Sequence, residues 1–151
     1  MAMSEALSSE GVQAAWAKLT DEIYVFGEHW TRAYIHVSRL ALHSEHLLED
    51  PRIGLFVSEP DRPEKNPLAL RRMNLQGEAL LLDVGAPDYA EVKERYLACF
   101  PLSAIMFGFA DFALWELRLE DTHVVLGFGQ AYLANAMTPL DWLHQRPNRR
   151  P

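Results

Sequence analysis

One stretch of the sequence, residues 38–51, limits the possible folds more than any other. It reads Ser-Arg-Leu-Ala-Leu-His-Ser-Glu-His-Leu-Leu-Glu-Asp-Pro and lies between two strand-like runs, Arg32–Val37 and Ile53–Ser58. Apolar residues at helical spacing predict a helix over Leu40–Glu49. Pro51 ends this helix, because the residue before a proline avoids the helical region. The chain must therefore pass from a strand directly into a helix and then into a second strand.

The start of this predicted helix has the chemistry of an anion site. The first backbone N–H groups of a helix have no partner within it. Here they would lie beside the hydroxyl of Ser38, the guanidinium of Arg39 and the imidazole of His43, which are groups that suit a phosphate. The alternative is that Ser38 is a simple N-cap, which is a common role for serine.

Strand-like segments dominate the rest of the chain. The predicted strands are Gly11–Leu19, Glu22–Phe26, Thr31–Val37, Arg52–Ser58, Leu68–Val84, Ala110–Leu119 and His123–Phe128. For Gly11–Leu19 a short helix is the alternative, and the partial alternation favours the strand. The other predicted helical segments are Pro87–Phe100 and a turn at Thr138–His144. Asp121-Thr122 is predicted to join the last two strands in a hairpin, and Gly77 to mark a bulge or a close approach. Strands in hairpin-like succession favour a mainly β (α+β) fold, an antiparallel barrel with flanking helices, over a doubly wound sheet.

The composition fits one folded domain and argues against several functions. The chain has 151 residues, of which 49% are hydrophobic, and we predict a single domain over 11–144 with flexible segments at 1–10 and 145–151. The net charge of −7 argues against nucleic-acid binding. The sequence has neither a signal-peptide pattern nor an apolar stretch long enough to span a bilayer, so we expect a cytoplasmic protein without a membrane contact.

The titratable residues do not form a recognisable metal or hydrolase motif. The six histidines and the single cysteine, Cys99, lack the spacing of a zinc site. His43 and His46 are three residues apart on the predicted helix and make only a weak two-ligand set, so we predict no metal site. No nucleophile elbow and no Ser-His-Asp order occurs, which gives hydrolase chemistry no support.

Five motifs together resemble a known family. Residues 38–52 are similar to the S-x-L-A-x-H-x-x-N-L…D-P-R signature of the pyridoxamine 5′-phosphate oxidase-related split-barrel proteins, with His46 in the place of the asparagine. The other four resemble the haem-iron-utilisation (HugZ-like) branch of that superfamily. They are Arg-Met-Asn-Leu-Gln-Gly at 72–77, Arg-Tyr-Leu-Ala at 95–98 with Phe-Pro at 100–101, Phe-Gly-Phe-Ala-Asp-Phe at 107–112, and Gly-Phe-Gly-Gln-Ala at 127–131.

The resemblance implies a six-stranded, FMN-binding split barrel that forms a homodimer, with two flavin sites at the dimer interface. In the flavin-binding relatives the strand-to-helix junction holds the FMN phosphate. Carried over by position, the expected cofactor-binding residues are Ser38, Arg39, His43, Ser44 and Arg72. His43 stands where these relatives commonly place a lysine that pairs with the phosphate, and Arg72 stands where the oxidases place a glutamine near the flavin ring.

Three functions remain open on this resemblance. The first is an FMN-dependent oxidoreductase. The second is a haem-binding or haem-utilisation protein of the same fold; such relatives use a histidine in a C-terminal extension, and His144 lies near the end of this chain. The third is a dimeric binding module without a cofactor, which the short region Gly11–Trp30 favours because the flavin-binding relatives usually have two full strands there. Neither a catalytic residue nor a substrate follows from the sequence.

Overall fold

The computed structural model describes residues 6–20, 25–27 and 29–145. Over these residues the chain forms seven strands, four α-helices and two single turns of 3-10 helix. The strands are β1 (Val25–Phe26), β2 (Arg32–Ser38), β3 (Arg52–Ser58), β4 (Arg72–Leu81), β5 (Phe112–Val125), β6 (Ala131–Asn135) and β7 (Thr138–Gln145). The α-helices are α1 (Ser9–Thr20), α2 (Leu42–Glu49), α3 (Tyr89–Cys99) and α4 (Ala104–Phe107), and the 3-10 turns are Pro67–Ala69 and Pro101–Ser103. No helix in this part of the chain is long and apolar enough to cross a membrane.

The strands join one sheet in the order β1-β2-β5-β4-β3, with β6 on β5 and β7 on β6. The pairs β1–β2, β2–β5, β5–β6 and β6–β7 are all antiparallel. The longest strand, β5, has 14 residues; its first half pairs with β2 and its second half with β6. The predicted mainly β class with flanking helices is therefore confirmed.

The chain divides into two compact units. Unit 1 comprises Met1–Asp21, Gly54–Gln76 and Glu120–Pro151, and unit 2 comprises Glu22–Ile53 and Gly77–Leu119. The boundaries fall inside β3, β4 and β5, so these strands contribute residues to both units. The single domain over 11–144 stays a prediction.

Helix α1 belongs to unit 1 and replaces the strand predicted over Gly11–Leu19. Alanine-rich sequence favours a helix, and Val12 and Trp16, one helical turn apart, are both buried. The Ser9 hydroxyl accepts a hydrogen bond from the backbone N–H of Trp142 on β7 at 3.1 Å. The strand prediction was wrong because partial alternation in this segment hid the 3.6-residue period of its buried side chains.

The predicted flexible ends lie only partly in the described residues. The backbone N–H of Leu7 donates to the hydroxyl of Tyr132 at 2.8 Å, and Ser9 already begins α1. The described part of the segment 1–10 is thus held to the sheet of unit 1. At the other end, Gln145 is the last residue of β7, and residues 146–151 lie outside the described residues.

Two further predictions, both for the C-terminal part of unit 1, were wrong. Asp121-Thr122 does not turn the chain, because Thr122 is a buried strand residue and β5 continues to Val125. The turn follows at residues 126–130, where Gly127 and Gly129 have φ of 146° and 69°, a region that favours glycine. The segment Thr138–His144, predicted as a helical turn, is strand β7 and pairs with β6.

The strand predicted over Leu68–Val84 is shorter in the structure and begins after a turn. The side chain of Asn66 accepts a hydrogen bond from the N–H of Leu68 at 3.0 Å and starts the 3-10 turn, and β4 follows at Arg72. A side chain at Gly77 would overlap the carbonyl oxygen of Arg118 and lie 2.7 Å from the Cα of Leu119. The predicted close approach at Gly77 is confirmed.

Unit 2 has its own apolar cluster beneath helix α3. Its buried members come from β1, β2, α3 and β5, and partly buried aromatic side chains pack against them. The buried residues are Val25, Tyr34, Val92 and Leu114, and the packed ones are Leu82, Tyr89, Tyr96, Phe100 and Phe107. The helix predicted over Pro87–Phe100 and the strands predicted over Thr31–Val37 and Arg52–Ser58 are confirmed. Residues 22–24 of the predicted strand Glu22–Phe26 lie outside the described residues.

Candidate functional site

One candidate site is a cavity of about 450 Å³ on one face of the unit 1 strands, here called the sheet-face cavity. It is lined by side chains of four successive strands. Those that matter for its chemistry are Asn74 and Gln76 on β4, Thr122 and His123 on β5, Leu133 on β6 and Leu143 on β7. Cavities of this size accommodate small molecules and cofactors.

Strand alternation explains why polar side chains line this cavity. Successive side chains of a strand point to opposite faces of the sheet. On β4 the residues Met73 and Leu75 are fully buried, so Asn74 and Gln76 lie on the outer face. The same two-residue period places His123 on the outer face of β5 between buried neighbours.

Three residues on the outer face form a row across β5, β6 and β7. His123 pairs with Leu133, and Leu133 pairs with Leu143. The two leucines are 40% and 64% exposed. Because neighbouring strands lie about 4.8 Å apart, the row covers about 10 Å. An imidazole and two aliphatic side chains thus present one continuous surface to a ligand.

Two carboxylates line the cavity, and a buried hydroxyl lies on the inner face of β5 behind it. The Oγ1 atom of Thr122 is buried and has no hydrogen-bond partner among the described residues. Buried hydroxyls are nearly always hydrogen bonded. Asp121 and Asp141 line the same cavity. The carboxylates favour a cation or a hydrogen-bond donor at this end of the cavity, and the apolar row favours a ligand with a flat hydrophobic part.

The histidines differ in their surroundings. His29 Nδ1 lies 2.8 Å from the Thr31 hydroxyl, and His144 Nε2 lies 2.7 Å from the Gly129 carbonyl oxygen. The ring of His36 stacks on Phe107 with 3.8 Å between centroids. His123 is exposed and has no hydrogen bond, ion pair or ring contact with the described residues. Within the described residues no group of three or more metal-ligating side chains occurs.

The predicted phosphate junction lies in unit 2, and its two hydroxyls are already engaged. The Ser38 hydroxyl donates to Asp111 Oδ2 at 2.9 Å and accepts from the N–H of Leu40 at 3.1 Å. The Ser44 hydroxyl is buried and donates to the Ser38 carbonyl oxygen at 2.6 Å. Both hydroxyls therefore hold the strand-to-helix turn together. The N-cap of α2 is Ala41, without a side-chain hydrogen bond, so the N-cap role considered for Ser38 is wrong.

Other groups at this junction remain open to an anion. The backbone N–H groups of Leu42 and His43 have no hydrogen-bond partner among the described residues. The side chains of Arg39 and His43 are exposed. Arg39 also lines a cavity of about 290 Å³ together with Tyr89 and Phe112. The nearby carboxylate of Asp111, which accepts from Ser38, opposes the binding of a dianion.

Arg72 belongs to unit 1, whereas the other four predicted cofactor-binding residues belong to unit 2. Its Nη1 atom donates to the carbonyl oxygens of Leu68 and Leu70 at 3.2 and 3.1 Å. Arg72 is two residues before Asn74, on the same face of β4. It is the only basic residue of this strand, and it therefore provides the cation on the strand face that leads to the sheet-face cavity.

Sequence reasoning missed the sheet-face cavity. The predicted hairpin turn at Asp121-Thr122 interrupted β5, the helical turn predicted at Thr138–His144 replaced β7, and no strand was predicted over β6. One sequence signal could have indicated that β5 continues. The β-branched residues Thr122 and Val124 alternate with His123, as in a strand.

An aromatic cluster in unit 2 surrounds His36. Burial lowers the pKa of His36, and the nearby charge of Lys93 lowers it further. Tyr96 meets the His36 ring edge-on at 5.8 Å, and burial raises the pKa of Tyr96. The ammonium of Lys93 lies 5.2 Å from the centre of the Phe107 ring. These groups keep His36 neutral at neutral pH.

Comparison with known proteins finds relatives that are named for haem. The non-canonical heme oxygenase HOZ of Arabidopsis thaliana chloroplasts is 32% identical over 99 residues, which are 66% of this chain and 29% of that protein. Heme oxygenase HutZ of Vibrio cholerae is 24% identical over 120 residues, which are 78% of this chain and 67% of HutZ. The structure of a heme binding protein from Mycobacterium smegmatis matches with a TM-score of 0.64 and 25% identity, over 72% of this chain and 44% of that one. No family model matches the sequence.

The antiparallel sheet and these matches define a split-barrel protein related to haem oxygenases and haem-binding proteins. The predicted resemblance to the HugZ-like branch is thereby confirmed. This chain spans less than a third of the Arabidopsis protein and less than half of the mycobacterial one.

Proposed function

We propose that this chain binds haem and that it acts in haem oxidation or haem handling. The proposal rests first on the 32% identity to a heme oxygenase over two thirds of this chain. The relatives are named for haem and not for a flavin, so haem, which the sequence indicated only as an alternative, becomes the main proposal.

The sheet-face cavity fits a haem group only in part, because two carboxylates and neither a lysine nor an arginine line it. A porphyrin needs an apolar surface, and Leu133 and Leu143 offer one beside the free imidazole of His123. Arg72, on the strand face that leads to the cavity, is a cation for a carboxylate of the ligand.

Haem carries the redox chemistry, and the protein supplies binding, orientation and electrostatics. The residues of this chain would bind the group on the sheet and exclude water from one of its faces. The oxidoreductase activity expected from the sequence is therefore proposed in the form of haem oxidation rather than of flavin chemistry.

A haemin titration tests the proposal directly. The purified chain is mixed with increasing haemin, and the Soret band is followed against a buffer blank. We expect a shifted and sharpened band that saturates at one equivalent per chain. An unchanged haemin spectrum at micromolar protein and haemin would refute haem binding.

Activity needs a separate measurement. The haem complex is incubated with ascorbate in air, and the Soret band and the released iron are followed. We expect the band to decay faster than the band of haemin bound to serum albumin under the same conditions. Equal decay rates would contradict the enzymatic part of the proposal and leave the binding part intact.

FMN is the second candidate, because the N–H groups of Leu42 and His43 are free in the described structure and lie beside the exposed Arg39. Quenching of FMN fluorescence by the chain tests it. We expect Arg39→Ala to abolish any quenching, whereas Arg62→Ala, an exposed arginine of unit 1, leaves it unchanged. If neither FMN nor haemin binds, the binding module without a cofactor is the remaining function.

We further propose that the chain forms a homodimer. Strands β6 and β7 and the turn between them expose large apolar side chains, Leu133, Met137, Leu140 and Leu143. Exposed apolar patches of this kind mark interaction surfaces. Sedimentation equilibrium should give twice the chain mass, and Met137→Lys, outside the cavity lining, should shift the equilibrium toward the monomer. A wild-type chain that stays monomeric at micromolar concentration would contradict the dimer.

A further inference from the structure

We propose that Arg32 and Arg118, together with the hydroxyl of Tyr34, bind the phosphate group of a small molecule on the surface of unit 2. The inference goes beyond the proposed haem binding and uses other residues. The juxtaposition that carries it is a pair of arginines that face each other across β2 and β5, beside a buried carboxylate and a buried hydroxyl.

The register of β2 and β5 brings the two arginines together. Arg32 pairs with Arg118, and Tyr34 pairs with Glu116. Residues two apart on a strand share a face, so these four side chains lie on one face of the strand pair. The Cα atoms of paired residues are only about 4.5–5.5 Å apart. Like charges directly opposite each other destabilise a sheet, so an anion bound between the arginines would stabilise this pair of strands.

One buried carboxylate holds both guanidinium groups in place. The side chain of Glu116 is 8% exposed, and its Oε1 atom lies 3.4 Å from Arg32 Nη1. Its Oε2 atom accepts a hydrogen bond from Arg118 Nε at 3.0 Å. Because each guanidinium contacts a different oxygen of the same carboxylate, the two groups are fixed side by side. Glu116 balances one of the two positive charges, and the other remains.

Most donors of the two guanidinium groups are free to bind a ligand. A guanidinium has five N–H donors. Within the part of the chain that the structure describes, the side chain of Arg118 donates one hydrogen bond and that of Arg32 donates none. The side chains of Arg32 and Arg118 are 58% and 62% exposed, so their other donors are accessible. Guanidinium groups commonly bind phosphate through two parallel hydrogen bonds.

The hydroxyl of Tyr34 is the second indication of a ligand. Tyr34 is 6% exposed, and its ring packs in the apolar cluster of unit 2 with Val25 and Leu114. Among the described residues its hydroxyl has no hydrogen-bond partner, although buried hydroxyls nearly always have one. Burial raises the pKa of Tyr34, and the charge of Glu116 raises it further. The hydroxyl therefore stays protonated and can donate to an oxygen of the ligand.

Three other charged residues act on this site. Arg95 on α3 adds a positive charge near Tyr34, although one of its N–H groups already donates to a backbone carbonyl oxygen at 2.6 Å. Asp88, the N-cap of α3, adds a negative charge near Tyr34. Glu120 is two residues beyond Arg118 on β5. Neither carboxylate forms an ion pair with a described residue, so both weaken the attraction for an anion without occupying the donors of the arginines.

The number of donor groups favours a phosphate over a carboxylate. Two guanidinium groups and one hydroxyl provide donors from three side chains, and a phosphate group has three terminal oxygens to accept them. A phosphate group carries about −1.5 to −2 charges near neutral pH, whereas a carboxylate carries a single charge on two oxygens. The site therefore suits a small molecule that ends in a phosphate monoester.

Titration of inorganic phosphate into the purified chain tests the site. Isothermal titration calorimetry in a buffer without phosphate measures the affinity, and circular dichroism checks that each variant is folded. We expect saturable binding by the wild type. Arg32→Gln and Arg118→Gln should each weaken binding by about tenfold or more, and Tyr34→Phe, which keeps the packed ring, by about fivefold. Glu116→Gln should tighten binding by about threefold or more, because a competing negative charge is removed.

Two further arginine variants serve as controls. Arg52 is an exposed arginine paired with Asp50 in unit 2, and Arg39 is the exposed arginine of the junction between β2 and α2. Arg52→Gln and Arg39→Gln remove the same charge from the chain and should keep the wild-type affinity. Loss of binding confined to Arg39→Gln would place the phosphate at the junction and overturn the proposal.

Other outcomes would also overturn it. A wild type that does not bind phosphate, or that binds it no more tightly than Arg32→Gln and Arg118→Gln do, would refute the site. Acetate bound as tightly as phosphate would refute the phosphate class. The titration contains no haemin, so its failure leaves the proposed haem binding intact, and a failed haemin titration leaves the phosphate site intact.

Discussion

The hydroxyl of Ser38 donates a hydrogen bond to Asp111, which lies 73 residues further along the chain. Nothing in the local sequence of residues 38–51 indicates this partner, so the hydroxyl was expected to bind a phosphate. His123 is the opposite case, because its ring has no partner among the described residues and faces a cavity. A side chain's chemistry is set by its type, but its availability is set by the groups that surround it.

His36 gives a testable pH dependence at the scale of one residue. Its pKa is lowered from 6.5 in the folded chain because burial disfavours the charged ring and Lys93 repels it. The unfolded chain takes up this proton as the pH falls through about 6.5, whereas the folded chain resists it. Stability is thus fully present above that pH and declines below it.

We expect the wild-type melting temperature to fall between about pH 7 and pH 5, with a smaller fall in His36→Leu, which cannot titrate. Differential scanning calorimetry at several pH values measures this. His46→Gln, an exposed histidine of α2, should keep the wild-type slope. Parallel pH profiles for the wild type and His36→Leu would show that His36 does not contribute.

Gly77 is the position at which a single methyl group has the largest expected effect. A Cβ there would overlap the Arg118 carbonyl oxygen, and the backbone of a paired strand cannot move away easily. We expect Gly77→Ala to destabilise the fold by about 3 kcal/mol or more. Urea unfolding measures the change.

The matched control for Gly77 is Gly54→Ala on β3. A Cβ at Gly54 would meet only the Leu75 carbonyl oxygen at 3.9 Å, an ordinary contact. Replacing glycine by alanine in a strand with room for it should leave stability unchanged or raise it slightly. Similar free energies of unfolding for both variants would contradict the close approach at Gly77.

At the scale of elements, β2, α2 and β3 follow the sequence closely because their signals are local. A proline ends the segment that holds α2, and β-forming residues fill both strands. Strand β7 was not predicted from the sequence, because a proline such as Pro139 is typical of the first turn of a helix. Pairing with β6 across the tight turn at residues 136–137 decides for a strand, and no strand was predicted over β6.

The loop between β3 and β4 is held by one nearly buried carboxylate. Glu59 accepts hydrogen bonds from the backbone and side chain of Arg71 and from Lys65. Burial alone would raise the pKa of Glu59, but these hydrogen bonds and the positive charge outweigh it and lower the pKa to about 2. The stabilisation is therefore present above about pH 4.5 and is lost as the pH falls toward 2.

We expect Glu59→Gln to lose about 1–3 kcal/mol of stability at pH 7 and to show a flatter pH dependence below about pH 4.5 than the wild type. Thermal unfolding over this range measures both. The control is Asp50→Asn, because the pKa of Asp50 is also lowered to about 2, by hydrogen bonds from Arg52, but this pair is fully exposed. An effect of Asp50→Asn as large as that of Glu59→Gln would contradict the role of burial.

At the scale of the whole molecule, haem binding predicts a change in global stability. A ligand that binds only the folded state stabilises it by about 2.7 kcal/mol at one hundred times its dissociation constant. For a chain of this length that amounts to a rise in melting temperature of about 5–10 °C. Differential scanning calorimetry with haemin tests this. An unchanged melting temperature at saturating haemin would contradict specific binding to the folded state.

The family resemblance, the mainly β class and the segment from β2 to β3 could be predicted from the sequence, because ordered motifs and local periodicity carry them. Helix α1 and strand β7 could not, because each is decided by the other: the backbone of Trp142 on β7 donates to Ser9 at the start of α1. The same limit applies to the sheet-face cavity, whose walls come from strands that are separate in the sequence.

The sequence by itself determined the family, the class of fold and the turn that joins β2 to α2, since these depend on neighbouring residues and on motif order. Only the tertiary structure decided which polar groups are free to bind. Hydrogen bonds over long sequence distances engage the hydroxyls of the junction, and strand pairing places His123 in a row with Leu133 and Leu143. Strand register is a property of two segments together, and no single segment of the chain encodes it.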